Sequence, residues 1–174
     1  MPTAVTVRVE SDDDYTRIGE IHRLAFGQPD EARLVEELRK DDRFDSALSL
    51  VAVRDADLVG HILFSTIHIE TNDGDVPAQA LAPMAVLPEC QNQGIGSDLV
   101  RAGLAACRQA KHSIVIVLGH ADYYPRFGFT PAGRYGIRYP FPVPDEAFMA
   151  IALMPGALES VAGMVRYAAA FDVL

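Results

Sequence analysis

The sequence predicts an α/β fold in which a mixed, mostly antiparallel central sheet is flanked by helices. Three features of the 174 residues predict it. Two helical patterns lie between a first strand and a meander of alternating, β-branched runs. The meander leads into a buried strand, which a glycine loop and a third helix follow. A continuous apolar run after that helix is typical of a strand that is covered on both faces.

The first strand and two helices are predicted by local patterns. Residues Val5 to Glu10 alternate between apolar and polar side chains, as a half-buried strand does. Ser11 to Asp14 form a helix start, with a capping pattern and three acids that suit the helix dipole. Gly27 is expected to end this helix, and Pro29 to begin the second.

The meander consists of two β-rich runs and a turn signal. Leu48 to Val53 and Leu58 to Ile69 are predicted strands, and Asp73-Gly74 predicts a hairpin turn into the central strand. His61 and His68 fall on opposite faces of the second run, because strand side chains alternate. We find no carboxylate or cysteine at metal spacing from either, so we interpret both as surface or packed histidines and expect no metal.

The central strand contains an unusual proline. Residues Ala80 to Leu87 form an apolar run long enough for a buried strand, and Pro88 ends it. Pro83 lies within the run, where a proline predicts that the ladder is interrupted by a bulge or by divergence from the neighbouring strand. Backbone amides and carbonyls near Pro83 would then be available to a ligand.

A loop with two glycines follows this strand and opens into a helix. Its amides and the positive end of the helix dipole predict an anion site for a phosphate or pyrophosphate. The helix is expected to bury a stripe made of Ile95, Leu99, Ala102 and Ala106. We call the loop the phosphate loop; it comprises Gln91, Asn92, Gln93, Gly94, Ile95, Gly96 and Ser97.

Two common phosphate-binding motifs do not fit this loop. The dinucleotide fingerprint requires a third glycine, but Leu99 stands in that place. No Gly-Lys-Ser/Thr follows, so the Walker A motif is also missing. A nucleotide-binding transferase is therefore the less favoured interpretation.

Two motifs, Gln91 to Gly96 in the phosphate loop and Tyr124 to Phe129 further along the chain, together resemble the GNAT superfamily of N-acetyltransferases. Gln91 to Gly96 resemble its acetyl-CoA signature, Gln/Arg-x-x-Gly-x-Gly/Ala after the fourth strand, at every fixed position. Tyr124 to Phe129 resemble the Tyr-x-x-x-Gly-Phe segment that follows the fifth strand. The resemblance covers about Val5 to Phe129 and extends only loosely to the last third. It implies the GNAT acyl-CoA N-acyltransferase fold, with splayed fourth and fifth strands.

The resemblance also implies a reaction, the direct transfer of an acetyl group from acetyl-CoA to a primary amine. Tyr124 would be the general acid for the departing thiolate, and packing under Phe127 is the alternative interpretation of its ring. His120 is the favoured general base, with Glu89 or a water chain as alternatives. The cofactor would be bound by the phosphate loop and by the backbone of Met84, Ala85 and Val86. The amide of Met84 or Val86 could stabilise the oxyanion.

Other interpretations stay open at this stage. A noncatalytic acyl-CoA-binding regulatory module would have the same phosphate loop. Cys90 could in principle form an acetyl-enzyme, but no base adjoins it, so a plain loop cysteine is favoured. In the family the first helices border the acceptor pocket, so His22, Phe26 and Glu37 either contact substrate or are ordinary helix-face residues.

Composition limits the cellular setting. The length predicts one domain over residues 1–174. Met1 to Val9 do not resemble an export signal, the longest apolar stretch is interrupted by Pro155 and Gly156, and two cysteines do not suggest a disulfide framework. We therefore expect a cytoplasmic protein.

Charge limits the partners. The net charge of -9 disfavours nucleic acid and anionic membranes, which select basic surfaces. The expected partner is a small-molecule or peptide amine that the sequence does not identify. The strand-like C-terminal segment offers an edge through which two subunits could form a homodimer.

Overall fold

Residues 3–174 are described by the computed structural model, and their strands form a mixed, mostly antiparallel sheet flanked by helices. The expected fold class is confirmed. The α-helices are α1 (Tyr15–Phe26), α2 (Asp30–Arg39) and α3 (Ile95–Gln109). The strands are β1 (Thr6–Val9), β2 (Ser49–Arg54), β3 (Asp57–Thr71), β4 (Gly74–Val86), β5 (Ile114–Leu118), β6 (Thr130–Pro131), β7 (Ile137–Arg138), β8 (Phe148–Ala152) and β9 (Gly163–Arg166).

The chain divides into two compact units. The first contains the residues up to Ser65 together with 82–106 and 169–174, and the second contains 66–81 and 107–168. Strands β3 and β4 and helix α3 contribute residues to both. The single domain stays a prediction. The argument against an export signal begins with Met1 and Pro2, which lie outside the described residues.

In the first unit, helices cover both faces of an antiparallel sheet. Strand β2 pairs with β1 on one side and with β3 on the other. Alternate residues of β3 face different helices, as the period of a strand requires. His61 shares a hydrogen bond with His22 of α1, whereas Phe64 fills the space that Gly103 of α3 leaves by lacking a side chain. Helices α1 and α3 therefore pack on opposite faces of β3.

The predicted ends of α1 are present in the structure. The Ser11 amide donates to Asp14 Oδ2 at 2.8 Å, which completes a capping interaction ahead of the helix. Gly27 ends α1 in the left-handed conformation, with φ of 70°. A short 3-10 turn, Asp12–Asp14, precedes α1 and was not predicted.

The buried face of α3 differs from the predicted stripe. Ile95 and Leu99 are buried as expected, but Ala102 and Ala106 are half-exposed. The face continues instead through positions that step by four residues along the helix. These are Ile95, Leu99, Gly103 and Cys107, together with Val100 and Leu104.

In the second unit, β5 has different neighbours along its length. It pairs with β8 in antiparallel fashion from Ile114 to Leu118. Its parallel ladder with β4 contains only two pairs, Gln79 with Val115 and Ala80 with Ile116. The expected splaying of the fourth and fifth strands is confirmed, although the ladder ends at Ala80 rather than at Pro83. No helix within residues 3–174 has the length and apolar character needed to cross a membrane.

Candidate functional site

The phosphate loop begins after a short 3-10 turn, Pro88–Cys90, and contains two residues in the left-handed region. Asn92 has φ of 61° and Gly94 has φ of 87°. Helix α3 begins at Ile95, so the last three residues of the predicted loop form its first turn. The Asp98 amide donates to the Gly94 carbonyl at 3.0 Å, and the Ile95 and Gly96 amides precede this first α-helical bond. This geometry suits an anion.

Two glutamine side chains tie the phosphate loop to the preceding strand and turn. Gln91 Nε2 donates to the Val86 carbonyl at 3.0 Å, and Gln93 Nε2 donates to the Glu89 carbonyl at 3.2 Å. The amide group of Gln91 is therefore used within the protein. The expected contribution of Gln91 to cofactor binding therefore depends on its backbone.

At the end of β4, two of the three candidate residues have backbone groups that point away from the neighbouring strand β3. The Leu87 amide donates to the Val59 carbonyl of β3 at 2.9 Å. Because backbone groups alternate in direction along a strand, those of Ala85 also point toward β3, whereas those of Met84 and Val86 point away from it. Met84 and Val86 are half-exposed and Ala85 is 4% exposed. Met84 and Val86 are thus better placed to bind a ligand than Ala85.

Tyr124 lies in the second unit, at the start of a 3-10 turn, Tyr124–Phe127, that ends at Gly128 with φ of 102°. Its ring packs edge-on against Phe129 with centroids 5.7 Å apart, and only 8% of the residue is exposed. Burial, aided by the neighbouring Tyr123, raises the pKa of Tyr124 to about 12. The phenol is consequently protonated at neutral pH.

The other candidate catalytic groups differ in exposure and in their hydrogen bonds. His120 is exposed, and its carbonyl accepts hydrogen bonds from the Tyr123 and Tyr124 amides at 3.1 and 3.4 Å. Glu89 is exposed as well. Cys90 is 3% exposed, and its Sγ accepts a hydrogen bond from Arg54 Nη2 at 2.8 Å.

A buried polar network in the first unit was not predicted from the sequence. The Arg39 guanidinium donates to both carboxylate oxygens of Glu10, at 2.8 and 3.2 Å. His61 Nε2 lies 3.6 Å from Glu10 Oε2 and shares a hydrogen bond of 2.9 Å with Ser49 Oγ. His61 Nδ1 in turn shares a hydrogen bond of 2.8 Å with His22 Nε2. His22 is also 0% exposed, so it is a packed residue of α1.

The charges in this network are set by burial and by hydrogen bonds. Burial lowers the pKa of His22 to about 2, with a smaller contribution from His61. Burial also lowers the pKa of His61. For Glu10, burial alone would raise the pKa, but hydrogen bonds from His61 and Arg39 outweigh it and lower the pKa to about 2. Glu10 is thus ionised and both histidines are neutral at pH 7.

The other two residues expected on the acceptor side of the first helices lie at the surface. Phe26 is 43% exposed and stacks on His22 with ring centroids 6.0 Å apart. Glu37 accepts an ion-pair hydrogen bond from Lys40 at 2.7 Å.

Carboxylates accompany His68 in the second unit, contrary to the sequence analysis. His68, Glu70 and Asp75 present donor atoms that all lie within 4.8 Å of one another. The hairpin of β3 and β4 brings Asp75 to this place, which spacing along the chain did not show. Arg166 Nε lies 3.4 Å from Glu70 Oε2 and competes for that carboxylate.

The sequence matches a family model described as an acetyltransferase (GNAT) domain over residues 6–132. The chain belongs to the GNAT acetyltransferase family. The expected family and enzyme class are therefore confirmed.

Two similar GNAT proteins come from Escherichia coli K12, and both are described as uncharacterized N-acetyltransferases. YjhQ is 41% identical over 142 residues, which cover 81% of this chain and 78% of YjhQ. YhbS is 33% identical over 162 residues, which cover 92% of this chain and 95% of YhbS.

Solved GNAT structures extend the similarity to the whole chain. The structure of E. coli YhbS in complex with CoA has a TM-score of 0.89 and 31% identity, covering 99% of this chain and 94% of that one. A GNAT acetyltransferase from Brucella melitensis in complex with acetyl-CoA has a TM-score of 0.79 and 32% identity, covering 98% and 99%. The similarity thus includes the last third, where the sequence motifs gave little information.

Proposed function

We propose that this GNAT protein transfers an acetyl group directly from acetyl-CoA to a primary amine of a small molecule or peptide. The observation that carries the proposal is the phosphate loop, whose left-handed Asn92 and Gly94 lead into the first turn of α3. A backbone of this kind binds phosphate groups through its amides. The CoA and acetyl-CoA complexes of the two similar structures support the choice of ligand.

In this proposal the backbone holds most of the cosubstrate. Residues 91–97 bind the pyrophosphate, and the outward-facing backbone of Met84 and Val86 binds the pantetheine arm in place of a strand. The Val86 carbonyl already accepts a hydrogen bond from Gln91. The Val86 amide and the backbone groups of Met84 are therefore the principal partners of the pantetheine arm, with Ala85 in a supporting role.

The reaction forms a C–N bond and breaks the C–S bond of the thioester. The attacking amine loses one proton, and the departing sulfur ends as a thiol. An amide of Met84 or Val86 stabilises the oxyanion that develops on the thioester carbonyl. We propose His120 as the group that accepts the amine proton, with Glu89 or a water chain as the alternative routes.

Tyr124 is the proposed donor to the departing sulfur. Its pKa of about 12 lies above the value of about 8.5 for a thiol, so full proton transfer from the phenol is unfavourable. A hydrogen bond from the phenol still stabilises negative charge on the sulfur. The proton that completes the thiol then comes from solvent.

Acetyl-CoA binding is tested by calorimetry on a pair of matched variants. A Cβ at Gly94 would have no heavy atom within 4 Å, so a side chain there projects into open space. Gly94→Asp and Gly94→Asn place side chains of the same shape at the same strained position, and only the first adds negative charge. We expect acetyl-CoA to bind the wild type and Gly94→Asn more tightly than Gly94→Asp. Equal affinities would contradict a pyrophosphate site here.

Catalysis is tested by release of the CoA thiol in the presence of a panel of amines. Once an acceptor is found, Tyr124→Phe should lower kcat by roughly a hundredfold, as expected when a hydrogen-bond donor to the developing charge is removed. Tyr123→Phe is the matched control, because it removes a neighbouring phenol and should retain kcat. Acetyl-CoA binding without turnover across the panel would favour a noncatalytic acyl-CoA-binding module.

The cellular setting is also part of the proposal. We place the protein in the cytoplasm, acting without a metal and without nucleic acid or membrane partners, as a homodimer or a monomer. Retained activity after chelator treatment and a mass from light scattering test the metal and the oligomeric state.

A further inference from the structure

Arg54 contacts the segment that forms the phosphate loop. It is the last residue of β2, distant in sequence from that loop. Its Nη1 donates to Gln93 Oε1 at 2.8 Å, and its Nη2 donates to Cys90 Sγ at 2.8 Å. One guanidinium therefore bridges the turn before the loop and a residue within it.

The contacts of Arg54 continue into the loop itself. Gln93 accepts from Arg54 at one end of its amide and donates to the Glu89 carbonyl at the other, at 3.2 Å. Both ends of this amide are thus used, which fixes the side chain between β2 and the turn. Gln93 also stands between Asn92 and Gly94, the two left-handed residues of the loop.

We propose that Arg54 is a positioning residue that holds the phosphate loop in its binding conformation before acetyl-CoA arrives. The inference rests on the proposed function, since it assigns a role to Arg54 in the same pyrophosphate site. Residues 91–94 are exposed, and an exposed loop of this kind loses conformational freedom when it binds a ligand. Arg54 reduces that loss by ordering the loop in advance.

The shape of the arginine side chain matters for this role. A guanidinium presents its donors in a rigid fork and can bind two acceptors in fixed directions, whereas a lysine ammonium is a single point charge. Lysine at position 54 would preserve the positive charge near the loop but not the bridge between Gln93 and Cys90. Arg54→Lys therefore separates positioning from electrostatic attraction.

The test compares two ligands that differ in the part bound by the phosphate loop. CoA contains the pyrophosphate, and pantetheine lacks it. We expect Arg54→Met and Arg54→Lys each to weaken CoA binding about tenfold, the loss of one or two hydrogen bonds. Pantetheine affinity, measured by NMR titration, should be unchanged in both variants. Arg33→Met is the matched control, because it removes the same charge from a side chain that is 64% exposed on α2.

A double-mutant cycle with Gln93→Met identifies the route of the effect. If Arg54 acts through Gln93, the two substitutions together cost less than the sum of their separate losses in CoA affinity. Strictly additive losses would show that Arg54 does not act through Gln93 and would overturn the positioning role. An equal loss for CoA and pantetheine would overturn it as well, because it would indicate a general structural effect.

The remaining outcomes separate the two proposals. A wild-type protein that does not bind CoA would refute the proposed function, and the inference with it. If the wild type binds CoA, and Arg54→Met binds it as tightly as the control Arg33→Met does, only the role of Arg54 is refuted. Circular dichroism and the Tm of each variant show whether it is folded before its affinity is compared with that of the wild type.

Discussion

The ring of Tyr124 lies against the backbone of Gly119, so closely that a Cβ at position 119 would overlap the ring. Gly119 directly follows β5, whose hydrogen bonds to β8 fix the position of the strand end. The Gly119 amide also donates to the Ala147 carbonyl at 2.9 Å. The backbone cannot easily retreat, so the ring must move when a side chain is added.

Gly119→Ala should therefore displace Tyr124 and lower kcat. A displacement of about 1 Å in a reacting group can cost roughly a hundredfold in rate. We expect a loss of at least tenfold in kcat by thiol release, with CoA affinity unchanged. Gly133→Ala is the control, since a Cβ there meets no heavy atom within 4 Å. A normal kcat in Gly119→Ala would contradict either the packing or the role of Tyr124.

Gly103→Ala should destabilise the protein, although alanine is the better helix former. The added Cβ would overlap the ring of Phe64, and overpacking of this kind costs about 1–3 kcal/mol. Helix propensity returns only about 1 kcal/mol. Urea denaturation measures the net change in the free energy of unfolding.

Two further variants check this explanation. In Gly19→Ala the nearest contact of the new Cβ is the flexible guanidinium of Arg23 at 3.1 Å, so this variant should be neutral or stabilised. Phe64→Leu should relieve the overlap in Gly103→Ala and make the double variant more stable than the sum of the single effects.

The Arg39–Glu10 ion pair is expected to matter for stability because its two side chains are only 11% and 1% exposed. Arg39→Met leaves the Glu10 carboxylate buried without its partner, which costs about 3–5 kcal/mol. Replacing both residues in Arg39→Met, Glu10→Gln should recover part of that loss. Lys40→Met removes a pair whose side chains are 69% and 44% exposed, and it should cost far less than Arg39→Met because solvent screens an exposed pair. Equal losses of unfolding free energy in Lys40→Met and Arg39→Met would refute this ranking.

Acid should destabilise the protein first through its buried histidines. The folded-state pKa of His22 is about 2, below the ordinary value of 6.5, so the unfolded chain binds a proton that the folded chain does not. The free energy of unfolding is therefore unaffected by this group above pH 6.5 and falls as the pH decreases below it. Glu10, lowered from 4.5 to about 2, adds a second loss that begins only below pH 4.5.

The window between pH 6.5 and 4.5 thus isolates the histidine contribution. Each histidine contributes at most about 1.4 kcal/mol per pH unit, and His61 acts in the same direction as His22. His22→Leu should reduce the slope of the unfolding free energy in this window. Phe26→Leu alters packing against the same ring without removing a titratable group, so it should shift the stability equally at every pH. An unchanged slope in His22→Leu would show that His22 does not titrate on unfolding.

Much of the fold was predictable because its signals are local. Three such features are the cap at Ser11, the left-handed Gly27 and the early end of the β4–β5 ladder, before Pro83. Each follows from the conformations and hydrogen bonds that single residues permit. The phosphate loop was found in the same way, since its glycines and the helix behind it are contiguous in sequence. Only its end was misplaced, because the first turn of α3 includes the second glycine.

What the sequence could not show depends on contacts between distant residues. His22 and His61 are 39 positions apart, and Glu10 and Arg39 are 29 apart, so no spacing rule connects them. The α3 stripe was wrong for a related reason, since Gly103 is buried through the size of Phe64 rather than through its own hydrophobicity. Arg54 is likewise recognisable only when β2 and the phosphate loop are seen together.

The burial of both cysteines makes the chain suitable for fluorescence labelling. Cys90 is 3% exposed, Cys107 is 0% exposed, and neither forms a disulfide. A single cysteine introduced at Phe141, which is 69% exposed, should react with a maleimide dye much faster than either native thiol. The native sulfurs could then remain in place while the dye labels position 141 alone.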